Sequence, residues 1–176
     1  MKKKRRVICV DVGRCMGCHS CVLACAVEHS QSKSLEKALA EETRPQSRVH
    51  MGAFRGKGVP LQCRQCEDAP CVAVCPTKSL HRLDQDSPVL IDHDKCIGCK
   101  WCILACPFGV ITMDAGGKTV IKCDQCNERV EKGGLPACVT ACPTGALKFV
   151  TVDEIVDGKR SAYLVQISEG LGGEQR

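Results

Sequence analysis

The sequence predicts an α+β fold of short strands and short helical turns, joined by long loops and organised around its cysteines. Three observations lead there. Cysteine accounts for 17 of 176 residues, far more than packing requires. The apolar share is 44%, but much of it is those thiols, and the aromatics are one Trp, one Tyr and three Phe, which is thin material for a carbon core. A chain of this length normally buries one sizeable core, so whatever the thiols hold must replace part of it. Finally, all the cysteines but Cys9 fall into four groups separated by long gaps.

In chain order, residues 1–6 are a basic run and residues 7–11 read as a short strand. The apolar stretch Val7, Ile8, Cys9 and Val10 meets Asp11 and Gly13 at once, too short for a signal-peptide core, and Arg5-Arg6 lacks the hydrophobic stretch of a twin-arginine export signal. No stretch approaches the roughly 18 apolar residues of a membrane span. A soluble protein of the reducing cytoplasm is expected, where metal ligation by cysteine is common and disulfides are rare. The first group is Cys15, Cys18, Cys21 and Cys25, spaced C-x2-C-x2-C-x3-C. Ala26-Val27-Glu28-His29 follow it without a proline, so the helix beginning near Cys21 is free to run on, and the helix formers of residues 34–42 support that. Residues 43–62, with Pro45, Gly52, Gly56, Gly58 and Pro60, read as loop.

The second group is Cys63, Cys66, Cys71 and Cys75, spaced C-x2-C-x4-C-x3-C and followed by Pro76. A strand is expected at 89–92. The third group, Cys96, Cys99, Cys102 and Cys106, repeats the first spacing and adds Pro107. Strands follow at 110–114 and 120–122, joined by a turn at Gly116-Gly117. The fourth group, Cys123, Cys126, Cys138 and Cys142, widens the middle gap to x11 and ends at Pro143. A last strand is expected at 148–152, and residues 168–176, with three glycines, read as a mobile tail unless a partner holds them. The continuations Pro76-Thr77-Lys78-Ser79-Leu80, Pro107-Phe108-Gly109-Val110-Ile111 and Pro143-Thr144-Gly145-Ala146-Leu147 repeat one another, an internal duplication.

The spacing has a chemical reading. Three cysteines at x2 intervals let a short loop curl round one cube of iron and sulfide, each thiolate reaching a different iron while backbone N–H groups face the sulfurs. The fourth cysteine begins a helical turn that points elsewhere, and in the bacterial C-x2-C-x2-C-x3-C-P pattern it ligates the other cluster of a pair. The proline after it ends the turn and redirects the chain. Zinc, held by two separated C-x2-C knuckles, fits the fourth group taken alone but not the triplets of the first and third. No C-x3-C-x2-C triplet that would leave an iron open occurs, since the residues three past Cys25, Cys75, Cys106 and Cys142 are Glu28, Lys78, Gly109 and Gly145. Electron transfer is therefore expected rather than catalysis.

Four cysteine motifs in this order, with Cys63-Arg64-Gln65-Cys66-Glu67-Asp68-Ala69-Pro70-Cys71-Val72-Ala73-Val74-Cys75-Pro76 as the second and a widened fourth, resemble those of the polyferredoxin-type four-cluster electron-transfer subunits. These are the small iron-sulfur subunits of molybdenum and tungsten oxidoreductases, formate dehydrogenases, hydrogenases and carbon monoxide dehydrogenase. The resemblance covers about residues 7–150 and is specific for the family rather than for one member. It implies four 4Fe-4S clusters with crosswise ligands: Cys15, Cys18 and Cys21 with Cys142; Cys123, Cys126 and Cys138 with Cys25; Cys63, Cys66 and Cys71 with Cys106; and Cys96, Cys99 and Cys102 with Cys75. The implied fold is two pseudo-symmetric bacterial-ferredoxin-like dicluster modules, one nested within the other, with long loops. The inner module is residues 59–113, the outer is 1–58 plus 114–150, and 151–176 is a C-terminal extension for partner docking or a mobile one.

The implied function is a non-catalytic relay of single electrons between a large catalytic redox subunit and a second electron carrier or flavin-containing subunit, or through copies of itself in a chain. Alternatives are a free soluble polyferredoxin and a scaffold whose clusters only hold the fold. The segment from Ala24 to Ser30 and the insertion to Arg48 look most like subunits of the carbon monoxide dehydrogenase and aldehyde oxidoreductase systems.

The formal charge of +5 counts thiols as neutral, whereas four oxidised clusters, each about −2 with its thiolates, bring the loaded chain to about −3. The basic head lacks an aromatic platform for nucleic acid and reads as a solvated face or docking contact. Cys9 is expected to be a small buried hydrophobe, His19 a surface loop residue rather than a ligand, and Trp101 a shield that keeps water from its cluster. Gly116-Gly117-Lys118-Thr119 lacks the earlier glycine of a phosphate loop, Thr112 standing in its place, so no nucleotide site is expected.

Overall fold

A computed structural model describes residues 4–171, with side chains described through residue 169. Among the described residues the strands pair in twos. β1 (Arg6–Val10) runs antiparallel to β8 (Leu147–Thr151), with Ile8 opposite Phe149. β2 (His50–Phe54) and β3 (Lys57–Leu61) form a hairpin, β4 (Leu80–His81) pairs with β5 (Leu90–Ile91), and β6 (Thr112–Met113) pairs with β7 (Val120–Ile121). An isolated two-stranded sheet is marginal in water, so each must lean on something else.

That support comes from the helices that follow the cysteine loops. α1 is Ser20–Glu28, α3 is Pro70–Ala73, α4 is Trp101–Ala105 and α6 is Ala137–Thr140. α1 packs against α6 and α3 against α4, so the first group of cysteines meets the fourth, and the second meets the third. α3, α4 and α6 stop before the fourth cysteine of their group, where proline follows. α1, with no proline after Cys25, continues to Glu28. It does not run on further. Ser30 Oγ donates to Val27 O at 2.7 Å, and the Glu41 carboxylate accepts from the N–H groups of Gln31 and Ser32. α2 (Leu35–Leu39) is therefore a separate turn.

Residues 43–62, read as loop from their glycines and prolines, contain the β2–β3 hairpin instead. Those residues make its turn: Arg55 (φ 49°) and Gly56 (φ 74°) are both left-handed, the backbone a two-residue hairpin loop needs. Gly58 is also favoured, since a Cβ there would stand a tight 3.0 Å from Gly17 Cα. The hairpin lies over the first cysteine loop.

α5 (Asn127–Glu131) fills the widened gap of the fourth group. α7 (Val152–Leu171) is a helix that the sequence reading did not anticipate; its side chains are almost all exposed. Residues 168–171 of the expected mobile tail belong to it, and 172–176 lie outside the described residues. No described helix is long and apolar enough to cross a membrane. Of the basic head, Lys4 pairs with Asp153 at 2.8 Å, Arg5 donates to Gln65 O, and Arg6 lies 4.4 Å over the Phe149 ring, so these three residues dock onto the chain itself.

Gly98 gives a direct test of the loop geometry. It sits at φ 63°, and a Cβ would come within 2.4 Å of Lys118 O. Gly98→Ala is expected to cost about 1–3 kcal/mol or more in the loaded protein. Gly117→Ala, also left-handed but with nothing within 4 Å, is expected to cost about 1 kcal/mol. Anaerobic thermal unfolding of the two variants measures the difference.

Candidate functional site

Each cysteine loop is shaped by residues in left-handed conformation. Gly17 and His19 occupy it in the first loop, Gly98 and Lys100 in the third, Gln65 in the second, and Gln125 and Cys126 in the fourth. Such turns gather successive backbone N–H groups toward one point, an arrangement that favours anions. The N–H of Gln65 donates to Cys63 Sγ and that of Gln125 to Cys123 Sγ, both at 3.4 Å, and the N–H of Arg48 donates to Cys25 Sγ at 3.2 Å.

The loops meet across the chain. Cys15, Cys18, Cys21 and Cys142 line one cavity, roofed by Met51 and Pro60 of the β2–β3 hairpin. Cys25 stands near Cys123, Cys126 and Cys138: besides the burial that mainly raises these three thiols, the charge on Cys25 raises each of them. Burial likewise raises the Cys71 thiol, Lys122 pulls it down, and Cys63, Cys106 and Cys66 push it up. Cys75, Cys96 and Cys106 pack around Cys71 and Cys102 in a second apolar core. The structure thus brings fifteen of the sixteen grouped cysteines into neighbourhoods drawn from more than one group, while Cys99 is exposed. Cys9 stays apart, half-buried in β1 rather than fully buried, with Ile8 as the strand's buried residue.

The donor set fits iron. Burial pushes the Cys126 and Cys138 thiols up to about 12, Cys102 up to about 11, and Cys123 well above its ordinary value. Left alone, these side chains would stay protonated, whereas a metal supplies the positive charge that makes them thiolates. Cys75 and Cys142, the fourth cysteines of the second and fourth groups, are prepared differently. Burial opposes ionisation of Cys75 and Cys142, but backbone N–H groups outweigh it: those of Leu80, Thr77 and Ser79 around Cys75, and those of Leu147, Ala146 and Thr144 around Cys142. Thr77 and Thr144 add hydroxyls 3.8 and 3.7 Å from the two sulfurs. Both thiols end below their ordinary value, and the repeated Cys-Pro-Thr turn is the reason.

Cys25 has no such turn and uses His29 instead. His29 Nδ1 lies 2.8 Å from Cys25 O and 3.7 Å from its sulfur, and Nε2 lies 3.1 Å from Asp124 Oδ1. Arg48 grips the other Asp124 oxygen at 2.7 Å. Burial opposes the charge on His29 and Asp124, yet their contact holds His29 up at about 9 and, with Arg48, keeps the carboxylate well below its usual range. His29, Asp124 and Cys126 place ligand atoms within 4.8 Å of one another, but the carboxylate is already engaged by His29, Arg48 and the Cys126 N–H, so the trio reads as a buttress.

Sequence reasoning missed Gln65, Gln125 and Lys122, all buried. Gln65 Nε2 donates to Cys123 O at 2.9 Å, and Gln125 Nε2 donates to Arg6 O at 3.0 Å. A signal existed: both residues are the second x of a C-x2-C pair. His19 is exposed, as expected. Trp101, expected as a water shield, is 60% exposed, which leaves its indole facing solvent.

An α+β chain whose interior is built of gathered thiols is an iron-sulfur protein in type, and known proteins place it more narrowly. Family models described as 4Fe-4S dicluster domain match residues 55–152 and 14–80. The chain belongs to this 4Fe-4S dicluster family. It is 38% identical to an iron-sulfur protein of Rhodospirillum rubrum, over 95% of this chain and 93% of that one. It is 37% identical to the thiosulfate reductase electron transfer subunit PhsB of Salmonella typhi, over 82% of this chain and 74% of the relative. With the B subunit of anaerobic dimethyl sulfoxide reductase of Escherichia coli it shares 36% identity, over 83% of this chain and 73% of that subunit.

Proposed function

We propose that this chain is a non-catalytic electron-transfer subunit that relays single electrons through four 4Fe-4S clusters, between a large catalytic redox subunit and a second electron carrier or flavin-containing subunit. The observation that carries the reading is the mixing of groups: Cys142 shares a cavity with Cys15, Cys18 and Cys21, while Cys25 neighbours Cys123, Cys126 and Cys138. Cys63, Cys66 and Cys71 with Cys106, and Cys96, Cys99 and Cys102 with Cys75, complete four sets of four. The bound clusters supply one-electron exchange. The chain's own residues supply thiolates, inward N–H groups and burial, which set spacing and potential. PhsB, an electron transfer subunit by name, supports the same reading.

The nested arrangement is part of the proposal. β1–β8 and α1–α6 join the two ends of the chain, residues 1–58 and 114–150, around a middle stretch, 59–113, whose own helices α3 and α4 pack together. Contact with a partner is supported by exposed Ile97, Trp101, Leu104 and Phe108 near exposed Cys99, and by Tyr163, Leu164 and Ile167 along α7. EPR of anaerobically purified protein before and after dithionite tests the function. Reversible appearance of reduced-cluster spins, with a large redox enzyme chain co-purifying, is expected. An iron-loaded chain without reducible spins would leave only a scaffold.

A further inference from the structure

Lys122 is 1% exposed and heads the largest fully buried side chains among the described residues. Its Nζ donates to Val89 O and, at 2.9 Å, to Cys123 O. No carboxylate pairs with it among the described residues. The nearest in sequence, Asp124, is taken by His29 and Arg48. An ammonium removed from water without an anion is strongly disfavoured, and neutral carbonyls offset only part of that cost. A neighbouring anion would supply the missing counter-charge.

The surroundings say where. On one side is Cys123, the adjoining residue, buried in the first apolar core with Cys21, Cys25 and Cys138. On the other, Val89 packs in the second core with Cys71 and Cys102. Gln65 braces the same seam, donating to Cys123 O at 2.9 Å and accepting from the Val89 N–H at 2.8 Å. The ammonium therefore stands where the second cysteine loop meets the fourth, with thiol sets on both sides.

We infer that Lys122 is a counter-ion shared by two clusters, the one on Cys63, Cys66, Cys71 and Cys106 and the one on Cys123, Cys126, Cys138 and Cys25, and that its charge raises the reduction potential of both. The inference rests on the four-cluster reading. Added electrons make both sites more negative, and a fixed cation between them favours the reduced form of each; local charge is among the levers that set such potentials. The ammonium bonds directly to the fourth loop at Cys123 O, and Gln65 of the second loop holds the same carbonyl, so the sets built on these two loops are the ones it is expected to tune. Lys122 is thus a positioning and tuning residue rather than a ligand.

Potentiometric EPR titration of the full, iron-loaded chain tests this with Lys122→Met, Lys122→Gln and Lys122→Arg. Both neutral variants are expected to shift the same two couples negative by about tenfold in the reduction equilibrium, ~59 mV for one electron, with little change in the other two. Lys122→Arg is expected to restore them. If both neutral variants lose iron while Lys122→Arg keeps it, the shared charge is likewise supported. Loss of iron from all three variants, an equal shift of all couples, no shift, or wild-type potentials in Lys122→Gln would overturn it. A native chain without reducible clusters would instead remove the electron-relay reading itself.

Discussion

Cys142→Ala and Cys18→Ala are expected to disturb the same cluster, although the two residues lie in the last and the first motif. Each removes one thiol from the cavity that also holds Cys15 and Cys21, so each alters one set of EPR signals and lowers bound iron by up to about four atoms, one cubane. Cys25→Ala is expected to match Cys138→Ala instead, because Cys25 faces the fourth loop. The alternative is that every motif fills its own cluster. Cys142→Ala would then resemble Cys138→Ala, and Cys18→Ala would resemble Cys25→Ala. Iron counting and EPR on the four variants separate the two schemes without reference to a partner enzyme. The structural reason to expect the crosswise scheme is the packing of α1 on α6, together with the cavity that Cys142 shares with Cys15, Cys18 and Cys21.

The second large effect is the loss of the fold on iron removal. The fully buried residues of the first apolar core are Ile8, Val49 and Leu147 together with Cys21, Cys25, Cys123 and Cys138, so at its centre thiols outnumber hydrocarbon side chains. The second is larger in carbon, with Leu80, Val89, Ile111 and Val120, but still closes on Cys71 and Cys102. Paired strands without a wider sheet add little independent stability, and a structural metal's binding free energy is folding free energy when no site survives unfolding. Anaerobic chelation is expected to abolish most far-UV circular dichroism, with α7 free to retain some helix because it leans little on the rest. A stripped chain keeping its full spectrum would mean that hydrocarbon packing alone holds the structure.

What the sequence made legible was local chemistry. Thiols at x2 and x3 intervals have few other uses, and proline after the fourth cysteine says where a helical turn ends; α3, α4 and α6 stop accordingly. The four strands expected beside the second, third and fourth groups and the one at 7–11 all appear within a residue or two, because each is a short apolar run bounded by turn formers. The hairpin at 50–61 was hidden because the residues that make its turn and its close approach, Gly56 and Gly58, are also the residues of loops. Lys122 and Gln65 were hidden for another reason: their partners are carbonyls far along the chain, and no local pattern reports a contact of that kind. α7 carries no apolar stripe that would have announced it, and Gly158 lies in its middle. Trp101 was assigned by proximity to its neighbours Cys99 and Cys102, yet the turn of α4 directs it outward.

Inorganic clusters, gripped by thiols from distant parts of the chain, are expected to form both the interior and the conducting path. Metal and acid-labile sulfide analysis of anaerobically purified protein tests this most directly. About sixteen iron and sixteen sulfide per chain are predicted, as four cubanes require. Far fewer of either, or zinc in place of iron, would contradict it.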